Sequence, residues 1–471
     1  MQSSKNDVVS EFFLTEDQCN FAIMGGAPRW VDIALGDVPA LGLALPAEQT
    51  LVSPELRLGK DTALLCELTS GRAHISFRMD GEDEELLALR AGGAVTLDLR
   101  ALEGRSGRVS VRAEEDVVLT KLLIGRLDRL GLLSARTHHA RRVANEKRHF
   151  ATVYDHPMYD IRGPRGGAGT FEAPPRRGRI QALPQLTVEE LEKLPCSAPR
   201  QGDDAYHYAH HVLGEIIGVS APNFAERLGS IYKKRPVRML SLCSGTAGIE
   251  RGILEAAGVP IEITLFDINE NLLAQAADVV APYARAFGVA GDVNTVSTAQ
   301  FATRFDVVAF VSGLHHVVEL EHVLQTVSSL LEEQGEFWLI GEQIGRNGNR
   351  LWPESREVVD RLFATLPEPF RRNAHSGAID NTMPDSDFSS VTFEGIRSSE
   401  IEPMLLRYFE PVQIYRRNCF LWRMVEPTYI DNYDVSNEEH RRTILRIVAA
   451  EYNLWRDGGR STEMHAVYRR R

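Results

Sequence analysis

Four strand-length apolar runs in the second half of the chain constrain its architecture most: Arg238–Leu242, Ile261–Phe266, Phe305–Val311 and Gly335–Ile340. Each is rich in large and β-branched residues, and the pieces between them, such as Asn271–Val280, carry helical periodicity. Strands that alternate with helices call for a mostly parallel sheet covered by helices on both faces. In such a sheet ligands bind beyond the carboxyl ends of the strands. The residues just past each run are therefore the first place to look for chemistry.

After the first run comes Cys243-Ser244-Gly245-Thr246-Ala247-Gly248, a turn of small residues that opens a helix. Small residues let a ligand approach the main chain, and a helix N-terminus offers amide donors and a favourable dipole. The second run ends at Asp267-Ile268, where a carboxylate can accept both hydroxyls of a ribose or cap the next helix. Gly291-Asp292-Val293 follows the helical region that begins with Asn271–Val280; Asp292 is suited to an adenine amino group, or to holding a turn. The third run, Phe305–Val311, leads into Ser312-Gly313-Leu314-His315-His316, and the fourth, Gly335–Ile340, leads to Glu342. A histidine with a near-neutral pKa can take a proton from an attacking hydroxyl, while the alternative for the pair is loop packing. Glu342 reads as a second candidate base or as an orienting, paired carboxylate.

Over roughly residues 206–423 this series resembles the class I S-adenosylmethionine-dependent methyltransferases of small-molecule type, whose first strand leads into D-x-G-x-G-x-G. Ser241, Cys243 and Ala247 stand where that pattern has its aspartate and its first and third glycines; Gly245 is retained. The resemblance implies a Rossmann-like, mostly parallel seven-stranded sheet and S-adenosyl-L-methionine as cofactor. It assigns Cys243, Ser244, Gly245, Thr246 and Ala247 to the donor's amino-acid end, Asp267 with Ile268 to the ribose, and Asp292 with Val293 to the adenine. Ser312 to His316 line the reaction site, with His315, His316 and Glu342 as catalytic candidates. The implied activity is O-methylation of a small molecule or saccharide by in-line transfer. A dinucleotide dehydrogenase fits less well, because its phosphate turn depends on the glycines that are replaced. Arg346 and Arg350, in the polar loop after Glu342, face the acceptor in this reading.

Ahead of this domain, short alternating runs (His74–Met79, Val95–Leu99, Val109–Val111) separated by turn-rich pieces predict an all-β, sandwich-like accessory domain over 1–130. A cationic helix near Ser134–His149 and the glycine- and proline-rich stretch of Gly163–Gly178 make 131–185 a linker, and 186–471 the methyltransferase domain with a C-terminal helical extension. At 471 residues, two or three domains are the natural division. The net charge of −12 argues against general nucleic-acid binding. Five scattered cysteines with no CxxC pair, no secretory signal and no run of membrane-spanning length point to the cytoplasm. His207 and His211 share a helix face without a matching carboxylate motif, so no metal site is expected. Tyr468–Arg471 reads as a frayed tail. The competing function class is a non-catalytic binding or assembly protein with a degenerate nucleotide fold, its β domain holding a glycan, a protein or a second copy as a homodimer.

Overall fold

The computed structural model describes residues 12–13, 22–24, 29–35, 38–59, 61–79, 82–91, 93–126, 135–136, 139–153, 185–217, 221–390 and 392–471. The glycine- and proline-rich stretch expected as a linker lies outside the described residues. The chain forms two compact units, Met1–Asn145 and Glu146–Arg471. The helix His139–Val153 contains the division point.

The first unit contains two six-stranded sheets, and every strand pairing in them is antiparallel. The runs read from the sequence fall in the strands Arg72–Met79, Gly93–Asp98 and Ser106–Ala113, save that Leu99 lies one residue past the second. One buried cluster draws on both sheets: Leu43, Leu64 and Cys66 from one, Ile75, Phe77, Val109 and Val111 from the other. The chain passes from Thr62–Ser70 in the first sheet to Arg72–Met79 in the second through Gly71 alone. Gly71 has φ 77°, and a Cβ there would lie 2.5 Å from the Asp116 carbonyl oxygen, so glycine is required.

The second unit is built on a seven-stranded sheet whose strands, numbered within this unit, are β1 (Val237–Leu242), β2 (Ile261–Asp267), β3 (Arg285–Ala290), β4 (Phe305–Val311), β5 (Leu331–Gln343), β6 (Phe409–Arg417) and β7 (Glu463–Arg470). Their spatial order is β3-β2-β1-β4-β5-β7-β6. The first five are parallel, and β7 runs antiparallel to both β5 and β6. This mixed sheet corrects the end of the chain. Tyr468 and its neighbours are no frayed tail but part of an inner strand, and Tyr468 is 1% exposed. Pairing on both sides satisfies the backbone there, and Met464, Ala466 and Tyr468 alternate into the core.

Alternation within each strand sorts the core onto two faces. Val237 and Met239 pack with the helices Phe224–Ile231, Gly248–Ala257 and Glu270–Val280. Leu240 and Leu242 point the other way, against the helices Leu320–Leu330 and Ile401–Tyr408. A separate helical cluster joins Ala205–Ile217 to Glu438–Arg456. The latter helix is capped by Asn437, whose side chain accepts from Glu439 and His440 N–H.

Register fixes where the functional edge lies. Leu242 is level with Phe266 and with Phe310, Phe266 with Val289, and Val311 with Ile340. The carboxyl ends of β1, β2, β3, β4 and β5 therefore lie side by side. Connections leave β1 toward β2 and β3 on one side, while β4 and β5 lie on the other, which makes the β1/β4 boundary the switch point.

Candidate functional site

The loop after β1 keeps the backbone of a glycine-rich turn without its glycines. Cys243, Gly245 and Ala247 have φ values of 56°, 50° and 54°, all left-handed. Side chains at two of these positions store strain of about 1–2 kcal/mol each, which surrounding contacts must hold in place. Those contacts are visible. Gly245 N–H donates to Asp267 Oδ2 at 2.9 Å, Ser244 N–H to the Phe266 carbonyl at 3.2 Å, and Ala247 N–H to the Ser244 carbonyl at 2.8 Å. Ser241, in place of the usual aspartate, turns its hydroxyl away from the loop and donates at 2.6 Å to Glu250 Oε1 on the following helix. Burial pushes the Glu250 carboxyl up to about 7.

Asp267 does not cap the next helix; Asn269 does, accepting from Asn271 and Leu272 N–H. Asp267 instead splits its oxygens, Oδ2 to Gly245 and Oδ1 to Asn269 N–H at 2.8 Å, and burial raises its pKa despite these bonds. Each carboxylate oxygen keeps a further acceptor direction for a ligand hydroxyl. Asp292 accepts at 2.8 Å from Asn294 N–H, as N-cap of the short turn Val293–Thr295. Asn294 Oδ1 in turn accepts from Val318 and Glu319 N–H, tying the β3 end to the segment after β4.

Glu342 is fully buried at the β5 end and caps the turn Leu314–His316. Its Oε2 accepts from Leu314 N–H at 2.9 Å and Gly313 N–H at 3.3 Å; its Oε1 accepts from His315 N–H at 2.9 Å and lies 2.7 Å from His315 Nδ1. With so many donors this carboxylate orients the turn and the His315 ring. On the ring's other side His315 Nε2 lies 3.2 Å from Glu394 Oε1. His316 repeats the pattern: Nδ1 against Glu146, Nε2 at 3.2 Å from Glu394 Oε2. Burial alone would lower the pKa of His315, but the carboxylates of Glu394 and Glu342 reverse this and raise it to about 10. His316 is raised too, its burial outweighed mainly by Glu146. Glu394 is driven far below the carboxylate range, because the two imidazoles overcome its desolvation.

One cavity of about 900 Å³ gathers most of these groups, while Glu342 stays behind His315 and is not among the lining residues. Its walls include Cys243, Ser244, Gly245, Thr246, Asp267, Ile268, Asp292, Val293, Ser312, His315 and His316 from the sequence-derived set, with Glu146 and Glu394 added. Desolvation, then the charges of Asp267 and Glu342, push the Cys243 thiol well above its usual range, so it is no thiolate nucleophile. Arg346 and Arg350 are not among the residues lining this cavity: they donate to the Leu351 and Asn347 carbonyls at 3.0 and 2.9 Å and brace their own hairpin. His207 Nδ1 lies 2.8 Å from Asp204 Oδ1. Glu394 and Glu146 escaped the sequence reading, since neither sits at a strand end.

A mostly parallel seven-stranded sheet is what the sequence resemblance to class I S-adenosylmethionine-dependent methyltransferases implies.

No family model matches the chain. A 165-residue stretch, 34% of the chain, is 29% identical to the non-reducing polyketide synthase esdpA of Penicillium shearii, of which it spans 7%. Among solved structures, the plantazolicin methyltransferase BpumL in complex with SAH is 13% identical, with 53% of this chain and 82% of that one covered at a TM-score of 0.28. The citrinin polyketide synthase CMeT domain is 12% identical over 56% of this chain and 51% of that one, at a TM-score of 0.27. These overlaps are partial, and the fold rests on the strand order and register.

Proposed function

We propose that the second unit is an S-adenosylmethionine-dependent methyltransferase that acts on a small molecule bearing an acidic hydroxyl. The observation that carries this reading is the convergence, in one cavity at the switch point, of the left-handed loop at Cys243–Ala247, Asp267, and the bracketed His315. The residues suit the donor. Ser244 Oγ is buried in the loop with no partner, which is what a hydroxyl waiting for a ligand's polar group looks like. Gly313 approaches the loop so closely that a Cβ would stand 2.7 Å from Cys243 Cβ, leaving the space above the strand ends to a ligand.

When bound, the donor supplies a methyl group on a sulfonium, open to in-line attack. The chain's part is to position and to stabilise. Cys243 to Ala247 hold the donor's amino-acid end, Asp267 and Ile268 its ribose, and Asp292 and Val293 its adenine, with Ser312 at the loop's far wall. Glu342 locks the His315 ring. Because His315 is kept protonated between two carboxylates, its task is to favour the anionic form of the acceptor oxygen rather than to abstract the proton. That selects acceptors acidic enough to lose a proton readily, such as phenols and enols.

A second reading has one observation in its favour, the polyketide synthase match. A polyketide acceptor also fits, since an enolate carries its charge on oxygen while its carbon attacks, and the same imidazolium would hold it. We read the two-sheet first unit as a sandwich-like accessory module whose role is self-association, and the free cysteines of the described residues as suited to a reducing, cytoplasmic setting. Incubating the full chain with methyl-labelled donor and a panel of phenols, enols, saccharides and polyketide thioesters tests the proposal. Label should pass to an acidic acceptor, and Asp267→Ala should abolish transfer. Donor binding without transfer to any class would favour the non-catalytic alternative.

A further inference from the structure

Beyond methyl transfer, we propose that His315, His316 and Glu394 form a binding site for a divalent transition-metal cation at the acceptor end of the cavity. One ligand atom from each of the three lies within 4.8 Å of the others. His315 is buried, its side chain 3% exposed, and His316 and Glu394 are partly buried at 11% and 23%.

Three features separate this cluster from an ordinary ion-pair network. The first is direction. Both imidazoles turn Nε2 to the same carboxylate, one to each of its oxygens. The second is backing: His315 Nδ1 meets Glu342 and His316 Nδ1 meets Glu146. A carboxylate behind each histidine is what fixes ring orientation and raises ligand basicity in metal sites. The third is spacing. The Nε2 contacts with Glu394 are 3.2 Å, while the Nδ1 contact of His315 with Glu342 is 2.7 Å. Charge-assisted hydrogen bonds favour about 2.7–2.9 Å. Ligands bonded to one tetrahedral cation at ~2.0–2.1 Å stand about 3.3 Å from each other. The longer pair matches the second geometry.

Two imidazoles and a carboxylate suit Zn²⁺, Fe²⁺, Co²⁺ or Ni²⁺ over Mg²⁺ or Ca²⁺, and the three-residue set leaves coordination positions open. Those positions face the cavity, which His315, His316 and Glu394 all line. A cation there takes over the positive charge that the paired imidazoles otherwise supply, and an acceptor oxygen can occupy an open position.

The test is a titration of the full chain, stripped with chelator, with Co²⁺. One equivalent should produce visible d–d absorption. Glu394→Gln and His316→Gln should abolish it, Glu146→Gln should weaken affinity by about 10–100-fold, and His440→Gln should leave it unchanged. Calorimetry with S-adenosylhomocysteine on the same variants confirms that each is folded. It also keeps a failure of this site distinct from a failure of the methyltransferase reading. Absence of stoichiometric uptake by the wild-type chain, or uptake undiminished in both Glu394→Gln and His316→Gln, overturns the proposal.

Discussion

Glu342→Gln tests how the acceptor end of the site is assembled. The substitution keeps the shape but turns one oxygen into an amide that can only donate. Whichever way the new amide sits, at least two donors lose their acceptor: Oε1 serves His315 N–H, His315 Nδ1 and Gln343 N–H, and Oε2 serves Leu314 and Gly313 N–H. The less costly arrangement gives up Oε2, leaving Leu314 N–H (2.9 Å) and Gly313 N–H (3.3 Å) facing an NH₂ group. A buried donor without a partner costs about 1–3 kcal/mol, the longer bond toward the lower end. The sum is about 2–4 kcal/mol. Four of the five tryptophans, Trp338, Trp352, Trp422 and Trp455, lie in the second unit, so urea unfolding followed by tryptophan fluorescence reads this unit. With a slope of ~3 kcal/mol/M the midpoint should fall by about 1 M. A fall under about 0.2 M, with the slope unchanged, would show that Glu342 does not hold the turn.

Glu250 gives a pH signature. Its carboxyl binds a proton more tightly in the folded chain than in the unfolded one, at about 7 against the ordinary 4.5. Its contribution is therefore fully present below about pH 4.5 and is lost as pH rises through 7, a change of ~3 kcal/mol. Glu250→Gln, which can still accept from Ser241, should be more stable than wild type at pH 8 by up to that amount and nearly equal to it at pH 4.5; parallel urea midpoints at the two pH values would expose a constant difference if the reasoning is wrong. At the loop, Ala247→Gly should relieve left-handed strain and raise stability by about 1 kcal/mol, whereas Ala247→Val should lower it by more than that, because a β-branched residue resists φ of 54° and the site is 1% exposed. Equal midpoints for Gly and Val would remove the strain argument.

The strand ends were legible in sequence because periodicity marks the strands and parallel register aligns their ends. Gly245, Asp267, Asp292 and His315 accordingly line one cavity. The departures at Cys243 and Ala247 looked larger in sequence than they are in space, since the backbone keeps the turn and Asp267 holds it. Other features lay beyond sequence reasoning. Glu394 meets His315 across 79 positions from a loop that carries no period, and Glu146 comes from a helix ahead of the glycine-rich stretch. The β7 strand was hidden by the three arginines that end the sequence, which mask the Met464, Ala466, Tyr468 alternation that its position between β5 and β6 demands.

The account stands most directly on donor binding. Isothermal titration of the full chain with S-adenosylhomocysteine should show a single saturable site, and Asp267→Ala should abolish it while the urea midpoint shows a folded second unit. In the proposed role of Asp267 as acceptor of two ribose hydroxyls, each charge-assisted bond contributes about 1.5–3 kcal/mol, which predicts a loss of at least ~100-fold. A folded wild-type chain that gives no heat with the donor or its product, or an Asp267→Ala chain that binds as tightly as wild type, would contradict the claim.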